Sequence, residues 1–425
     1  MKVEVINTGS ELLLGSVLNT HLKYFAESLF PVGIRIQRQV TVPDGDAIGT
    51  ALAESFARAD VVLVTGGLGP TTDDITREAV AELLGLELIH DDSVMEAITA
   101  RFERRGFTMS ERNARQAQRP REAVVLPNSH GTAPGLYLPP QPLSDSRWGI
   151  AKTPHLFLLP GPPRELRPMF TEAVLPLLQK LAPATAAEEM RVVRVSGMGE
   201  SAVEELVGAD ILALGLELGY CARPGEVDVR LIGDPAAIAI GEAILREKLG
   251  SRVVSNDGRL LEAVVVDLLA SRGEFLAVAE SCTGGLLANR LTNVPGASMV
   301  FVEGFVTYAN EAKIRGLDVD PAVLREHGAV SRQVAAAMAR GAVAAARVDH
   351  AVATTGIAGP GGGTDKKPVG TVYIAFASKS GEVRVERHNI PTDRETFKFL
   401  ATQAALDLIR RSVPAVPSEA PLSTL

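Results

Sequence analysis

Two α/β domains separated by a small α+β module are the fold class this sequence predicts, and three observations predict it. The chain has 425 residues, too long for one ordinary core. Short, almost wholly apolar runs such as ADVVLVTGG (59–67) alternate with segments of helical spacing, as in parallel sheets covered on both faces. That alternation fills two long blocks, with a shorter strand–helix–strand–helix stretch between them.

The first block is doubly wound. KVEVINTG (2–9) reads as a strand and NTHLKYFAESLF (19–30) as a helix. IRIQRQVTVP (34–43) reads as a strand, with Asp44 or Asp46 capping the helix AIGTALAESFARA. ADVVLVTGG and HLFLLPGPP (155–163) end strands in glycine-containing turns, the edge where open α/β sheets bind ligands. In the middle block RVVRVSG (191–197) and EVDVRLIG (226–233) are strands; ESAVEELVG (200–208) and PAAIAIGEAILREKLG (235–250) are helices. The third block opens with the helix GRLLEAVVVDLLASRG, the strand FLAVAE (275–280) and a helix beginning in TGGLLANRLT. MVFVEGFVTYA (299–309), HAVATTG (350–356), GTVYIAFAS (370–378) and EVRVERHNI (382–390) are further strands. SRQVAAAMARGAVAAARV (331–348) and DRETFKFLATQAALDLIRR (393–411) are long helices. Domain limits are expected at 1–170, 171–256 and 257–413, with a Pro- and Ser-rich disordered tail at 414–425.

Composition narrows the function. A net charge of −8 argues against nucleic-acid binding through a basic surface. No apolar run reaches membrane-spanning length, and MKVEVINTGSE turns polar too early for a secretory signal, so a cytoplasmic protein is expected. The two cysteines, Cys221 and Cys282, form neither a disulfide framework nor a metal cluster.

AESCTGG (279–285) places Ser281, Cys282 and Thr283 in a row between an apolar strand and a Gly-Gly helix entry. Such a turn presents a side chain at the sheet edge, and free N–H groups at the helix start can hold an oxyanion. The same heptad also reads as a plain tight turn with Cys282 packed as a small hydrophobe. No histidine lies within 275–315, whereas FVTYANEAK (305–313) supplies Tyr308 and Lys313, and Ser–Lys pairs perform amide chemistry. Lysine must be neutral to act as a base, so burial has to lower its ordinary value of about 10.4. TTGIAGPGGGTDKKPVG (354–370) follows a strand and can cradle a phosphate or carboxylate on its backbone, or form a solvent loop. It matches neither the Walker pattern nor GxGxxG, and Lys366, Lys367 and Arg394 are cations within its reach.

AESCTGGLLANRLTNVPGAS, VTYANEAK, HGAVS and TGIAGPGGGTDKKPVGTVYIA together resemble the C-terminal domain of the CinA (competence/damage-inducible) family. That resemblance implies an amidohydrolase converting nicotinamide mononucleotide (NMN) to nicotinate mononucleotide and ammonia, with no cofactor. It implies Ser281 as nucleophile, Tyr308 and Lys313 as its activating partners, and N–H groups around Gly284 and Gly285 for the oxyanion. Thr355, Gly356, Gly359, Gly361 and Arg394 would bind substrate. TGSELLLGSVLNTH, TGGLGPTTDDIT and LPGPPREL resemble the same family's N-terminal half, of molybdopterin-binding (MoaB/MogA-like) fold. This half is associated with divalent-metal-dependent hydrolysis of ADP-ribose to AMP and ribose 5-phosphate. The resemblance implies phosphate binding at Thr65, Gly66, Gly67 and Gly69, and a metal at Asp73, Asp74 and Glu11. Asp73 or Asp74 reads equally as a helix cap. His21 stands where relatives often have asparagine. The middle block resembles the family's KH-like linker; its GMGE (197–200) is not the GxxG clamp of an RNA binder, so a structural role is expected. A homodimer acting on small nucleotides, without membrane or nucleic-acid partners, is what the resemblance implies. A non-enzymatic ligand-binding adaptor with a molybdopterin-type site is the competing class.

Overall fold

A computed structural model describes residues 1–142, 151–182 and 188–414; the expected tail lies, from 415 on, outside the described residues. The chain divides into two compact units, Met1–Glu188 and Glu189–Leu425.

The first unit contains β1 (Val3–Thr8), α1 (Ser10–Leu13), α2 (His21–Leu29), β2 (Ile36–Val42), α3 (Ala47–Phe56), β3 (Val61–Thr65) and α4 (Thr76–Leu84). There follow β4 (Leu88–His90), α5 (Asp92–Arg104), β5 (Gln118–Pro120), β6 (Val124–Leu126), β7 (Gly135–Leu138), β8 (His155–Leu159), α6 (Pro163–Met169) and α7 (Leu175–Leu181). The main sheet runs β2-β1-β3-β8-β7-β6. Its β2, β1, β3 and β8 are parallel, and β7 and β6 add antiparallel. Every residue of β1 and β3 is buried, because helices cover both faces. Ile48, Leu52 and Val80 pack on one face, and Phe25, Leu166 and Phe170 on the other. β4 to β7 are three or four residues long, too short to show a period in sequence.

The second unit holds two sheets. β9 (Glu189–Ser196), α8 (Glu200–Leu212), β10 (Glu217–Arg223), β11 (Glu226–Gly233), α9 (Pro235–Leu249) and β12 (Val253–Ser255) build an antiparallel sheet ordered β10-β11-β9-β12. β10 and β12 are additions to the sequence reading. α10 (Leu261–Arg272), β13 (Leu276–Glu280), α11 (Leu286–Thr292), β14 (Phe301–Val306), α12 (Asn310–Leu317), α13 (Pro321–His327) and α14 (Arg332–Ala346) come next. β15 (His350–Gly356), β16 (Thr371–Ser378), β17 (Val383–Asn389) and α15 (Arg394–Ser412) complete the unit. The second sheet is ordered β14-β13-β15-β16-β17, parallel across its first three strands and antiparallel beyond. Leu261, Leu287, Phe397 and Leu406 cover one face; Leu317, Val334 and Met338 cover the other. Among the described residues no helix is long and apolar enough to cross a membrane.

One close approach fixes how α12 sits. A Cβ on Gly341 of α14 would lie 2.0 Å from the main-chain oxygen of Leu317, the last residue of α12. Alanine normally favours a helix interior over glycine by roughly 1 kcal/mol, but here the backbone clash dominates. Gly341→Ala is therefore expected to destabilise the protein by about 1–3 kcal/mol, read as a lowered urea midpoint.

Candidate active site

Ser281 follows β13 directly, and its N–H donates to the Thr354 carbonyl of the neighbouring β15 (3.0 Å). The chain then turns through Gly284 (φ 62°) and Gly285 (φ 95°), a region side chains avoid, into α11. The Thr283 and Thr354 hydroxyls bond to each other at 2.8 Å and fasten the turn to β15. Glu280 is fully buried, and its carboxylate accepts the N–H groups of Gly285 (3.0 Å), Leu287 (3.0 Å) and Ala288 (2.8 Å). A negative charge thereby caps the positive end of α11. The Gly285 N–H expected to serve an oxyanion is thus already taken. Among the described residues the N–H groups of Thr283 and Gly284, one step upstream, have no hydrogen-bond partner.

Lys313 comes from the first turn of α12 and is 1% exposed. Its Nζ lies 3.0 Å from Ser281 Oγ, 2.8 Å from the Thr307 carbonyl oxygen and 3.3 Å from that of Tyr308. Burial lowers its pKa from the usual lysine value. A neutral amine keeps two N–H groups for the two carbonyls and turns its lone pair to the serine hydroxyl. Cys282, one residue on, faces the core beside Val278 and Leu287, and burial pushes its thiol up to about 12. It is protonated at neutral pH and makes no contact with Lys313 of the kind Ser281 makes.

The Tyr308 phenol does not join this pair. Its ring is exposed, and its hydroxyl accepts from Arg394 Nη2 at 2.8 Å. Tyr308 meets Lys313 through its carbonyl instead. Arg394 also donates to the Gly359 carbonyl (2.9 Å), which joins the glycine-rich loop to the mouth of the site. One helical turn further along α15, Lys398 Nζ lies 3.9 Å from where a Cβ on Gly284 would be. Sequence reasoning missed Lys398, although its spacing of four from Arg394 puts both on one helix face. Thr355 is buried and donates to the Ala329 carbonyl (2.8 Å). A Cβ on Gly356 would come within 2.8 Å of the Thr371 carbonyl, so both residues act as scaffold, whereas Gly361 faces open space. Lys367 Nζ donates to the His327 carbonyl (2.9 Å), away from Ser281.

In the first unit the ends of β1, β3 and β8 surround a cleft of about 400 Å³ lined by Glu11, Asp44, Asp73, Asp74 and Glu165. Gly66, Gly67 and Gly69 form one wall, where a Cβ would come within 2.5 Å of Thr8 O, 2.0 Å of Thr76 Oγ1 and 2.4 Å of Asp74 Oδ2 respectively. Thr65 is buried behind them, donating to Asn7 Oδ1 (3.0 Å) and meeting His21 Nδ1 at 3.1 Å. It therefore supports the wall rather than lining it, and burial lowers the His21 pKa. Neither Asp73 nor Asp74 caps α4, whose N-cap position is Ile75. Asp74 instead accepts the Thr71 N–H (2.9 Å) and hydroxyl. Of the two candidate caps for α3, Asp46 holds the N-cap position, without a side-chain cap bond, while Asp44 accepts the Ser10 N–H (3.0 Å) and hydroxyl (3.1 Å) at the start of α1. Among the described residues no three His, Cys, Asp or Glu side chains converge on one metal position. The all-oxygen lining still fits a hard cation such as Mg²⁺, which takes one or two carboxylates and completes its shell with water and substrate phosphate. Glu165 and Asp44 were not foreseen, since nothing local to LPGPPREL or VTVPDGD marks them as cleft-facing.

A lysine-contacted serine at a strand–helix turn, joined in one chain to a glycine-walled, carboxylate-lined cleft, defines a two-site α/β protein. The chain belongs to the CinA family. The domain family described as "CinA C-terminal domain" matches residues 259–413, and "Probable molybdopterin binding domain" matches residues 4–180. The chain is 49% identical to a CinA-like protein of Akkermansia muciniphila over 96% of either chain. It is 40% identical to a CinA-like protein of Kosmotoga olearia, over 97% of this chain and 99% of that one. The solved structure of competence/damage inducible protein CihA from Agrobacterium tumefaciens is 41% identical, covering 36% of this chain and 92% of that one, with a TM-score of 0.35.

Removing the Glu280 carboxylate leaves three helix N–H groups without their acceptor. Glu280→Ala is expected to lower unfolding stability by about 3 kcal/mol, with Glu280→Gln recovering part of the loss, measured by denaturant titration.

Proposed function

We propose that the second unit is a nicotinamide-nucleotide amidase that hydrolyses NMN to nicotinate mononucleotide and ammonia. The observation that carries this reading is Lys313: three acceptors surround its Nζ, two of them fixed carbonyls and the third the Ser281 hydroxyl. In the neutral state Lys313 accepts the Ser281 proton as Oγ attacks the carboxamide carbon. The N–H groups of Thr283 and Gly284 stabilise the oxyanion. When the tetrahedral intermediate collapses, the C–N bond breaks and Lys313 returns the proton to the departing nitrogen, which leaves as ammonia. Water, deprotonated by Lys313, then cleaves the acyl ester and restores Ser281. Among the described residues Arg394 and Lys398 form no ion pair with a carboxylate, and they set positive charge at the mouth, where an anionic nucleotide would enter.

The test is ammonia release from NMN. Ser281→Ala is expected to abolish it and Cys282→Ala to retain it; a dead Cys282→Ala with an active Ser281→Ala overturns the assignment. The rate should rise with pH as Lys313 loses its proton. Because burial lowers the Lys313 pKa, the midpoint of that limb should fall below the ordinary lysine value of about 10.4.

For the first unit the reading is hydrolysis of ADP-ribose to AMP and ribose 5-phosphate, in a cytoplasmic homodimer. A bound divalent cation supplies charge neutralisation on the diphosphate. Asp73, Asp74 and Glu11 are the residues that would hold it, while the glycine wall lets the phosphates approach the backbone closely. AMP formation should require added Mg²⁺ or Mn²⁺, stop with EDTA, and fall at least about 100-fold in Asp73→Asn. AMP formation at an undiminished rate in EDTA would overturn the metal requirement.

A further inference from the structure

Two of the motifs quoted above, HGAVS and the DKKPVG end of the glycine-rich loop, contribute no side chain to the Ser281–Lys313 pair. They meet instead at a pocket of about 520 Å³ whose lining includes neither Ser281 nor Lys313. Three cations from three different elements converge there: Arg332 from α14, Lys367 from the loop and Arg387 from β17. Glu326 is the one carboxylate in the lining, and it lies nearest to His327 (3.6 Å). None of the three cations forms an ion pair among the described residues. Other arginines of this unit do have carboxylate partners: Arg290 meets Glu262, Arg272 meets Glu274, and Arg411 meets Glu386 and Asp407. Two of the cations are also held in place. Lys367 Nζ is fixed on the His327 carbonyl, and the Arg387 guanidinium lies 6.0 Å from the centre of the Tyr373 ring. The first turn of α14 (Ser331, Arg332, Gln333) lines the same pocket and adds its positive end.

We propose that this pocket binds a phosphoryl group. Arginine forks suit the oxygens of a phosphate, and lysine suits its charge. The pocket is mechanically joined to the reacting centre: Thr355 of β15 donates to Ala329 of HGAVS, while the adjoining Thr354 carbonyl holds the Ser281 N–H. β16, which carries Tyr373, lies two strand positions from β13, roughly 10 Å across the sheet. The phosphoryl group therefore comes either from the nucleotide whose amide reaches Ser281, or from a separate phosphate compound bound alongside. The first source rests on the amidase reading and the second does not.

Hydrogen exchange on the full chain, with millimolar sodium pyrophosphate against sodium chloride at equal ionic strength, tests the site. Peptides spanning 326–334 and 364–375 are expected to exchange at least about threefold more slowly with pyrophosphate, as ligand binding suppresses local opening. The slowing should vanish in Arg332→Gln/Arg387→Gln and persist in the charge-retaining Arg332→Lys/Arg387→Lys. No slowing in the wild type, or equal slowing in the glutamine variant, overturns the proposal. NMN added to Ser281→Ala then separates the sources. Joint protection of 281–288 and 326–334 assigns the pocket to the substrate's own phosphate. Protection of 326–334 by pyrophosphate alone assigns it to a second ligand, and that result stands even if no ammonia is ever released.

Discussion

The burial of Lys313 against Ser281 is the contact on which the rest of the second unit depends. An ammonium withdrawn from water is costly unless a counter-charge meets it, and no carboxylate hydrogen-bonds to this one. Two carbonyls from the exit of β14 partly compensate, and the remaining penalty favours the neutral amine. The packing then holds the base still. Thr307 N–H donates to the Glu280 carbonyl (2.8 Å), so the ends of β13 and β14, which present serine and lysine, are one hydrogen-bonded pair. Behind them α12 rests on Gly341 of α14, where no side chain larger than hydrogen fits against the Leu317 carbonyl.

Much of this was legible in sequence, and what was not had physical reasons. The apolar run before Ser281, the glycines after it and the strand ending near Tyr308 correctly marked β13, the turn and β14. That Lys313 meets Ser281 follows from β14 lying beside β13, a fact of sheet order that spacing does not contain. Tyr308 was read as a side chain where its carbonyl is used, because sequence displays side chains and hides the backbone. Glu280 stood in the quoted AESCTGG and was passed over as a strand end. A carboxylate closing an otherwise apolar strand just before Gly-Gly is the signal, since only a helix N-terminus can satisfy it there. β10 was hidden for a different reason: its burial is intermediate or exposed throughout, so it carries no core-facing period.

The first unit shows the opposite balance. Its sheet is as well packed, with β1 and β3 fully buried, yet its carboxylates line a cleft without converging. Its glycines, by contrast, are fixed by contact, since Gly66 and Gly67 each abut a threonine that no Cβ could clear. Preorganisation in this unit therefore resides in the backbone wall, and in the other it resides in side chains.

The choice between adjacent candidate nucleophiles shows how the fold decides chemistry that residue type does not. By intrinsic reactivity the thiol of Cys282 is the better nucleophile, since even a small thiolate fraction attacks faster than a serine hydroxyl. Successive side chains leaving β13, however, point in different directions. Ser281 turns toward α12 and meets Lys313, whereas Cys282 turns into the layer formed by Val278, Leu287 and Phe397. The same burial that lowers the Lys313 pKa raises that of the Cys282 thiol. Desolvation acts on both groups in the same sense, favouring the uncharged form, and leaves a neutral amine beside the Ser281 hydroxyl and a neutral thiol in the core.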